Sequence, residues 1–268
     1  MKDRAQLIEP LVELAEAAGR AILAVYETDF AVRHKDDDSP LTQADLASHR
    51  CIVAGLRALD PSTPILSEEG GMPDFAERSR WSEYWLIDPL DGTKEFVNRN
   101  GEFTVNIALI NRHRPVLGIV HVPVKGRTYV GCEGHGAELR ERGRAPRTIR
   151  VASDSAAPVR VVGSRSHRGA SLDAFLARLP DYVMHPVGSS LKFCMVAEGA
   201  ADVYPRLGPT SEWDTAAAQA VVEQAGGEVL ELDGKPLLYN RKADILNPHF
   251  LVAGPRDHDW VALASATA

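Results

Sequence analysis

Asp88 and Asp91 stand three positions apart at the end of the apolar run Trp85-Leu86-Ile87, and Gly92-Thr93 follow at once. Two hard carboxylates on a tight turn suit a magnesium ion. Gly92 and Thr93 read as the opening of a helix, whose free N–H groups welcome an anion such as phosphate. A cation site beside a phosphate site is an arrangement for metal-assisted phosphate chemistry. Taken alone the pattern is weak, because aspartates before glycine commonly make turns or cap helices.

Two further acidic segments change the weighting. Pro64-Ile65-Leu66 runs into Ser67-Glu68-Glu69-Gly70-Gly71, paired acids at a strand end before a glycine-rich loop. By itself that segment would read as a solvated loop. Ser211-Glu212-Trp213-Asp214-Thr215 precedes an alanine-rich helical run to Ala225 and a Gly226-Gly227 stop. An acid at Asp214 is explained by the helix dipole, and the same position lets it reach a metal.

In order and spacing these three segments resemble the metal-binding motifs of the inositol monophosphatase superfamily, magnesium-dependent, lithium-sensitive phosphatases of small phosphorylated molecules. The resemblance spans nearly the whole chain. Lys94-Glu95-Phe96 is similar to the 3′(2′),5′-bisphosphate nucleotidase branch, where inositol monophosphatases usually carry Thr-Asn-Phe. The segment from Asn100 to Leu109, Gly188-Ser189-Ser190-Leu191-Lys192-Phe193-Cys194 and the segment from Val203 to Thr210 resemble that branch too.

The resemblance implies a set of roles. Glu68, chosen over Glu69, would be a metal ligand with Asp88, Asp91 and the carbonyl of Leu90, and Asp214 would complete the shell of a second ion. Two magnesium ions are implied, with a third left open. Thr93 would hold phosphate through its N–H and the nucleophilic water through its hydroxyl. A hydroxyl is a poor base without a carboxylate behind it, and Asp45 matches the family acid in that role, although a capping-box acid would explain it equally. Glu68, Thr93 and Asp45 are thus the implied catalytic residues. Substrate would lie against Leu90, Asp91, Gly92, Thr93 and Asp214 on one side. On the other it would meet Ser189, Lys192, Arg206 and His167, the last in Arg165-Ser166-His167. Lys192 can pair with a second phosphate as a point charge and Arg206 can grip one bidentately.

The activity implied is magnesium-dependent hydrolysis of the 3′-phosphate of adenosine 3′,5′-bisphosphate, with the 3′-phosphorylated adenylyl sulfate as a further substrate. The implied role is clearing this by-product of sulfate assimilation. An inositol monophosphatase of relaxed specificity is the alternative enzyme, and Lys94 and the Gly-Ser-Ser-Leu-Lys segment argue against it. A non-catalytic binder of nucleotide bisphosphates is the alternative of another class; it could have lost metal ligands, and all are present.

The elements that must position these residues follow from periodicity. Leu7, Ile8, Leu11, Val12, Leu14, Ala15, Ala18, Ile22 and Val25 predict a first helix ending near Tyr26. Thr42, with Asp45 three residues on, predicts the start of a second helix that Asp60-Pro61 stops. Strands are expected at 85–87, 104–110, 117–121 and 128–131, with a further one at 148–152. Gly131 to Gly136 reads as a turn-rich connection. Two helices followed by a strand meander suggest a sheet covered on one face by the helix pair.

From about Ala156 strands and helices alternate: strands at 159–162, 182–185, 201–204, 228–232 and 250–253, and helices at 171–179, 191–198, 214–225 and 260–266. Asp233-Gly234 is a hairpin signal. The expected class is α/β (α+β), and the fold implied by the family is a layered α-β-α-β-α sandwich. Residues 1–155 would form an α+β half with most metal ligands. Residues 156–268 would form an α/β half with the substrate-selecting residues and Asp214.

Composition narrows the function classes. The 268 residues are 44% apolar, enough for one large domain or two packed halves. With a net charge of −7 and scattered basic residues, a phosphate-gripping nucleic-acid surface is not expected. The denser patch from Arg140 to Arg150 reads as a solvated hairpin region. Lys2, Asp3, Arg4 and Glu9 do not read as a signal peptide, and no apolar run approaches the length of a membrane span. Cys51, Cys132 and Cys194 are far apart, arguing for packed thiols in a reducing compartment. Cytoplasm is the default, with a peripheral seat on the cytoplasmic face of the inner membrane left open, as are monomer and homodimer. His121 and His185 are expected to be structural.

Overall fold

The structure is a computed structural model and describes residues 4–29, 32–34, 40–163 and 170–265. Helix α1 (Ile8–Tyr26) buries Ile8, Leu11, Val12, Ala15, Ala18 and Ile22 along one stripe, the 3–4 residue spacing of a face turned to a core. A two-stranded ribbon of β1 (Arg33–His34) and β2 (Pro40–Leu41) leads to α2 (Gln43–Leu59). The Thr42 side chain caps α2 and Asp45 returns a bond to the Thr42 N–H, the reciprocal pair read from the sequence.

The chain continues through β3 (Ile65–Ser67), α3 (Phe75–Arg78), β4 (Glu83–Asp91) and α4 (Thr93–Val97). A meander follows in β5 (Thr104–Asn111), β6 (Arg114–Val122), β7 (Arg127–Cys132), β8 (Gly136–Glu141) and β9 (Arg147–Thr148). The alternating part consists of β10 (Val159–Gly163), α5 (Ala170–Leu176), β11 (Tyr182–Pro186), α6 (Leu191–Ala197) and β12 (Val203–Arg206). A 3-10 turn (Glu212–Asp214) then opens onto α7 (Ala216–Gln224), β13 (Glu228–Glu231), β14 (Phe250–Ala253) and α8 (Trp260–Ser265).

Two sheets result. One has the order β3-β4-β5-β6-β7-β8-β9 and is antiparallel except for the parallel β3–β4 pair. The other has the order β11-β10-β12-β14-β13, with β10 parallel to both neighbours and β14 antiparallel to both of its own. Successive residues of a strand point to opposite faces. On β4, Trp85 and Ile87 join the core under α1 and α2, while Tyr84 and Leu86 join a second core with Phe193 of α6 and Ala217 and Val221 of α7. That second core also holds Val162, Tyr204 and Phe250 of the other sheet. Val161, Val203 and Leu251 face a third core with α5 and α8. The layers are therefore α1/α2, sheet, α6/α7, sheet, α5/α8, an α-β-α-β-α sandwich.

The α1/α2 pair covers one face of the larger sheet as expected, and α6 and α7 cover the other. Alanines in α7 make this possible: a Cβ on Gly118 of β6 would sit 2.1 Å from the Ala217 carbonyl oxygen, so helix and strand approach at backbone distance. Some expectations shift. The turn-rich 131–136 segment is the tip of a β7–β8 hairpin whose second strand was not anticipated. The strand expected at 148–152 is only Arg147–Thr148, and the one at 201–204 runs Val203–Arg206. Asp233-Gly234 does turn the chain, but β13 takes β14 as its strand partner and meets the returning chain in one bridge at Pro236. The arginine patch is not simply solvated: Arg140 pairs with Glu9 and Glu138, and Arg147 with Glu198.

Cys132 and Cys194 are buried, Cys51 is half-buried, and all three are free thiols. No described helix is long and apolar enough to cross a membrane.

His121 is buried in β6, with Nδ1 2.8 Å from the Thr128 hydroxyl. Burial is the main cause pushing its pKa from 6.5 down to about 4. The folded chain therefore resists a proton that the unfolded chain accepts, and the stability tied to neutral His121 is lost as pH falls from 6.5 towards 4. Between pH 7 and pH 5 the wild type should lose about 2 kcal/mol more than His121→Gln. Urea unfolding of both proteins at the two pH values measures the difference.

Candidate active site

One cleft of about 340 Å³ collects the acids of all three motifs. Glu68 enters from the end of β3, Asp88, Leu90 and Asp91 from β4, and Asp214 from the 3-10 turn before α7. The tight turn expected at Asp88–Asp91 is instead the last part of β4, with a break in register against β5 between those two residues. A bulge of this kind bends a strand and re-aims its side chains, so strand residues face the cleft. Asp214 is likewise not the first residue of the long helix. It closes the 3-10 turn, and α7 begins two residues later.

The three aspartates accept bonds from neutral donors. Asp88 Oδ1 accepts the Leu90 N–H at 3.0 Å. Asp91 Oδ2 accepts the Ser190 N–H at 2.6 Å and the Ser190 hydroxyl at 2.8 Å. Asp214 Oδ2 accepts the Ser211 N–H at 2.9 Å, a capping box.

Like charges dominate the electrostatics. Asp88 is 1% exposed. Burial first, then the charges of Glu68, Asp91 and Asp214, push its carboxyl well above the usual range. Burial, Asp91 and Glu68 do the same to Asp214. An all-oxygen set of acids that repel one another fits hard divalent cations. Among the described residues no group of three or more acid, histidine or cysteine side chains encloses a single point.

Behind Thr93 lies Asp45, 2% exposed. Its Oδ2 accepts both the N–H and the hydroxyl of Thr42, and its Oδ1 accepts the Thr93 hydroxyl at 3.3 Å. The capping role and the partnership with Thr93 thus coexist on two oxygens of one carboxylate. Burial is the main cause raising the Asp45 pKa, with the Thr42 bonds opposing it and the Glu69 charge adding to it. Gly92 adopts φ +92°, and a Cβ there would meet the Glu102 carbonyl oxygen at 3.1 Å. Only glycine lets the chain turn from β4 into α4 at this point.

The facing wall comes from α6 and β12. Lys192 is 7% exposed rather than solvated, and its ammonium donates to the Ser189 carbonyl at 2.6 Å and lies 5.4 Å over the Tyr204 ring. Burial lowers its pKa to about 8, with Asp91 and Glu95 opposing the shift. Arg206 donates from Nη2 to the Pro209 carbonyl, while its buried Nε has no hydrogen-bond partner among the described residues. Ser189 lines the cleft with φ +49°. His167 lies outside the described residues.

Three residues with no role in the sequence reading prove central. The Ser190 N–H donates to Asp91, and its hydroxyl, with a single proton to give, lies 2.8 Å from Asp91 Oδ2 and 2.7 Å from the Asp214 carbonyl, between the segments of two motifs. Asn106 donates to the Ser190 hydroxyl at 2.9 Å and reaches Asp91 at 3.4 Å. Glu212, buried beside Asp214 in sequence, accepts the Asn240 N–H with both oxygens at 2.9 Å. Ser190 sat next to the residue chosen, Ser189, and adjacency alone could not say which points inward. Ser190→Ala should lower kcat by roughly 10–100-fold through a displaced Asp91. It should also cost about 1–3 kcal/mol by stranding buried polar partners. Steady-state assays and urea unfolding of the variant measure both.

Comparison with known proteins places this geometry. A sequence model of the inositol monophosphatase family matches residues 3–266. The 3′(2′),5′-bisphosphate nucleotidase CysQ of Escherichia coli strain K12 is 47% identical over 249 residues, covering 92% of this chain and 99% of that protein. The crystal structure of CysQ from Bacteroides thetaiotaomicron, a bacterial member of the inositol monophosphatase family, superposes with a TM-score of 0.83 at 40% identity, covering 96% of this chain and 99% of that one. The inositol monophosphatase of Anabaena gives a TM-score of 0.75 at 25% identity, covering 100% of this chain and 98% of that one. The match along almost the entire length makes this chain a member of the inositol monophosphatase family.

Proposed function

We propose that this protein is a magnesium-dependent 3′(2′),5′-bisphosphate nucleotidase that hydrolyses adenosine 3′,5′-bisphosphate to AMP and phosphate, and takes the 3′-phosphorylated adenylyl sulfate as a second substrate. The observation that carries the reading is one cleft with two chemistries: Glu68, Asp88, Asp91 and Asp214 line it together with Lys192 and Arg206. The acids suit a cation and a phosphate that reacts; the two bases suit a phosphate that stays. The relatives named nucleotidase, at 47% identity, support the same substrate class.

Glu68, Asp88, Asp91, Asp214 and the Leu90 carbonyl would hold the metal. Magnesium, when bound, supplies charge neutralisation at phosphate oxygens and a lowered pKa for water. The rest falls to the chain. The Thr93 hydroxyl, backed by Asp45 at 3.3 Å, orients the attacking water and passes its proton to the carboxylate. A carboxyl raised by burial is a better base than an ordinary aspartate. The water oxygen forms a bond to phosphorus as the phosphorus–O3′ bond breaks, and the O3′ alkoxide takes a proton from solvent. Lys192 and Arg206 hold the 5′-phosphate; a dianion beside Lys192 raises its lowered pKa and keeps it charged.

Phosphate release from adenosine 3′,5′-bisphosphate and from inositol 1-phosphate, assayed separately with magnesium, tests the proposal. The nucleotide should be strongly preferred, and Asp91→Asn should cut kcat more than ~100-fold on either substrate. Lys192→Ala should damage turnover of the bisphosphate far more than that of the monophosphate. Equal losses on both would remove Lys192 as the reader of the second phosphate. A preference for inositol phosphate would overturn the substrate assignment and leave the metal chemistry standing.

A further inference from the structure

We infer that α2 aligns the acid motifs by one helical face, and that His49 on that face is a positioning residue for Glu68. Asp45, Ser48 and His49 stand at i, i+3 and i+4, so they project from one side of the helix. Each reaches a different part of the site. Asp45 Oδ1 accepts the Thr93 hydroxyl at 3.3 Å. The fully buried Ser48 hydroxyl donates to the Pro89 carbonyl at 2.7 Å, between Asp88 and Leu90. His49 Nδ1 lies 2.8 Å from the Ser67 hydroxyl, one residue before Glu68.

The His49–Ser67 bond acts where β3 leaves the sheet. Ser67 is the last residue of β3, in register with Ile87 of β4. Beyond it the Glu68 N–H still reaches the Ile87 carbonyl, at 3.3 Å, and the Gly70 N–H turns back to the Ser67 carbonyl at 3.1 Å. The backbone of Glu68 is thus held from β4, and the side chain of Ser67 is held from α2. Ser67 is 4% exposed, so losing the imidazole strands a buried hydroxyl at the pivot of the Glu68 turn. The helix supplies a rigid base, because the Thr42–Asp45 box fixes its first turn. Groups hydrogen-bonded directly to a metal ligand commonly set affinity by roughly 10–100-fold; His49 acts through the residue before Glu68, so its effect should fall at the lower end of that range.

This inference rests on the proposed metal role of Glu68, and its test separates the two. Magnesium binding to the full-length protein is measured by calorimetry without substrate, for wild type, His49→Ala, His49→Asn, Ser67→Ala and the double variant with both alanines. Tm is measured in chelator, and KM is measured at saturating magnesium. His49→Ala and Ser67→Ala should each weaken magnesium binding roughly tenfold. The double variant should be no weaker than either single one. His49→Asn, whose amide can replace the Nδ1 bond, should recover most of the affinity. Tm in chelator should fall by a few degrees in His49→Ala, which strands the Ser67 hydroxyl, and be largely restored in His49→Asn, while KM at saturating magnesium should change little. Unchanged magnesium affinity in His49→Ala, or losses that add in the double variant, would overturn the positioning role and leave the metal reading intact. A wild type that takes up no magnesium would remove the metal reading itself, and this inference with it.

Discussion

Burial of like charges is the constraint on which the rest of this structure depends. Asp88 and Asp214 lie in a cleft with Glu68 and Asp91, and burial, with the charges of Glu68 and Asp91 beside them, makes both Asp88 and Asp214 reluctant to ionise. The cluster is held without neutralising it. The donors to Asp88, Asp91 and Asp214 are the backbone N–H groups of Leu90, Ser190 and Ser211, the hydroxyls of Ser190 and Thr104 and the Asn106 amide, all of them neutral. Neutral donors fix where a carboxylate sits yet leave its charge for a cation. A lysine or arginine in the same contacts would have stabilised the acids and removed the attraction for metal. The nearest bases, Lys192 and Arg206, are instead directed at the carbonyls of Ser189 and Pro209.

Such a cluster needs ligands from distant chain segments delivered to one place, and the layering provides this. The α6/α7 layer lies between the two sheets and packs on both. Because Gly118 and the alanines of α7 allow backbone contact, the turn that carries Asp214 is brought against the end of β4 that carries Asp88 and Asp91. Ser190, one residue before α6, completes the join through Asp91 and the Asp214 carbonyl. On the opposite face α2 contributes Asp45, so the site is approached from both sides of the same sheet.

A cap and the proposed chemistry need not compete. Asp45 and Asp214 each serve as the third residue of a capping box. A carboxylate has two oxygens. Asp45 Oδ2 accepts from Thr42 while its Oδ1 accepts the Thr93 hydroxyl, and Asp214 accepts the Ser211 N–H through Oδ2 alone. The cap supplies the rigidity that an oriented acid requires.

The sequence by itself determined the local elements and the inventory of acids. The 3.6-residue stripe of α1, the Thr42–Asp45 cap and the Asp60-Pro61 stop are decided within a few residues, and they stand where periodicity and capping rules put them. The motif acids were legible because carboxylates beside glycine at strand ends have few uses, and their order along the chain matched a family. Tertiary structure decided what depends on contact between distant segments. Nothing local could show that β4 continues through Asp88–Asp91, since strand pairing with β5 overrides the turn tendency of Asp and Gly. Nothing local distinguished Ser190 from Ser189, or revealed that Lys192 is buried. The family resemblance implied a covered second face of the large sheet, but nothing local showed that α7, about a hundred residues along the chain, is what covers it. Propensity acts between neighbours in sequence, whereas the cleft is made by neighbours in space.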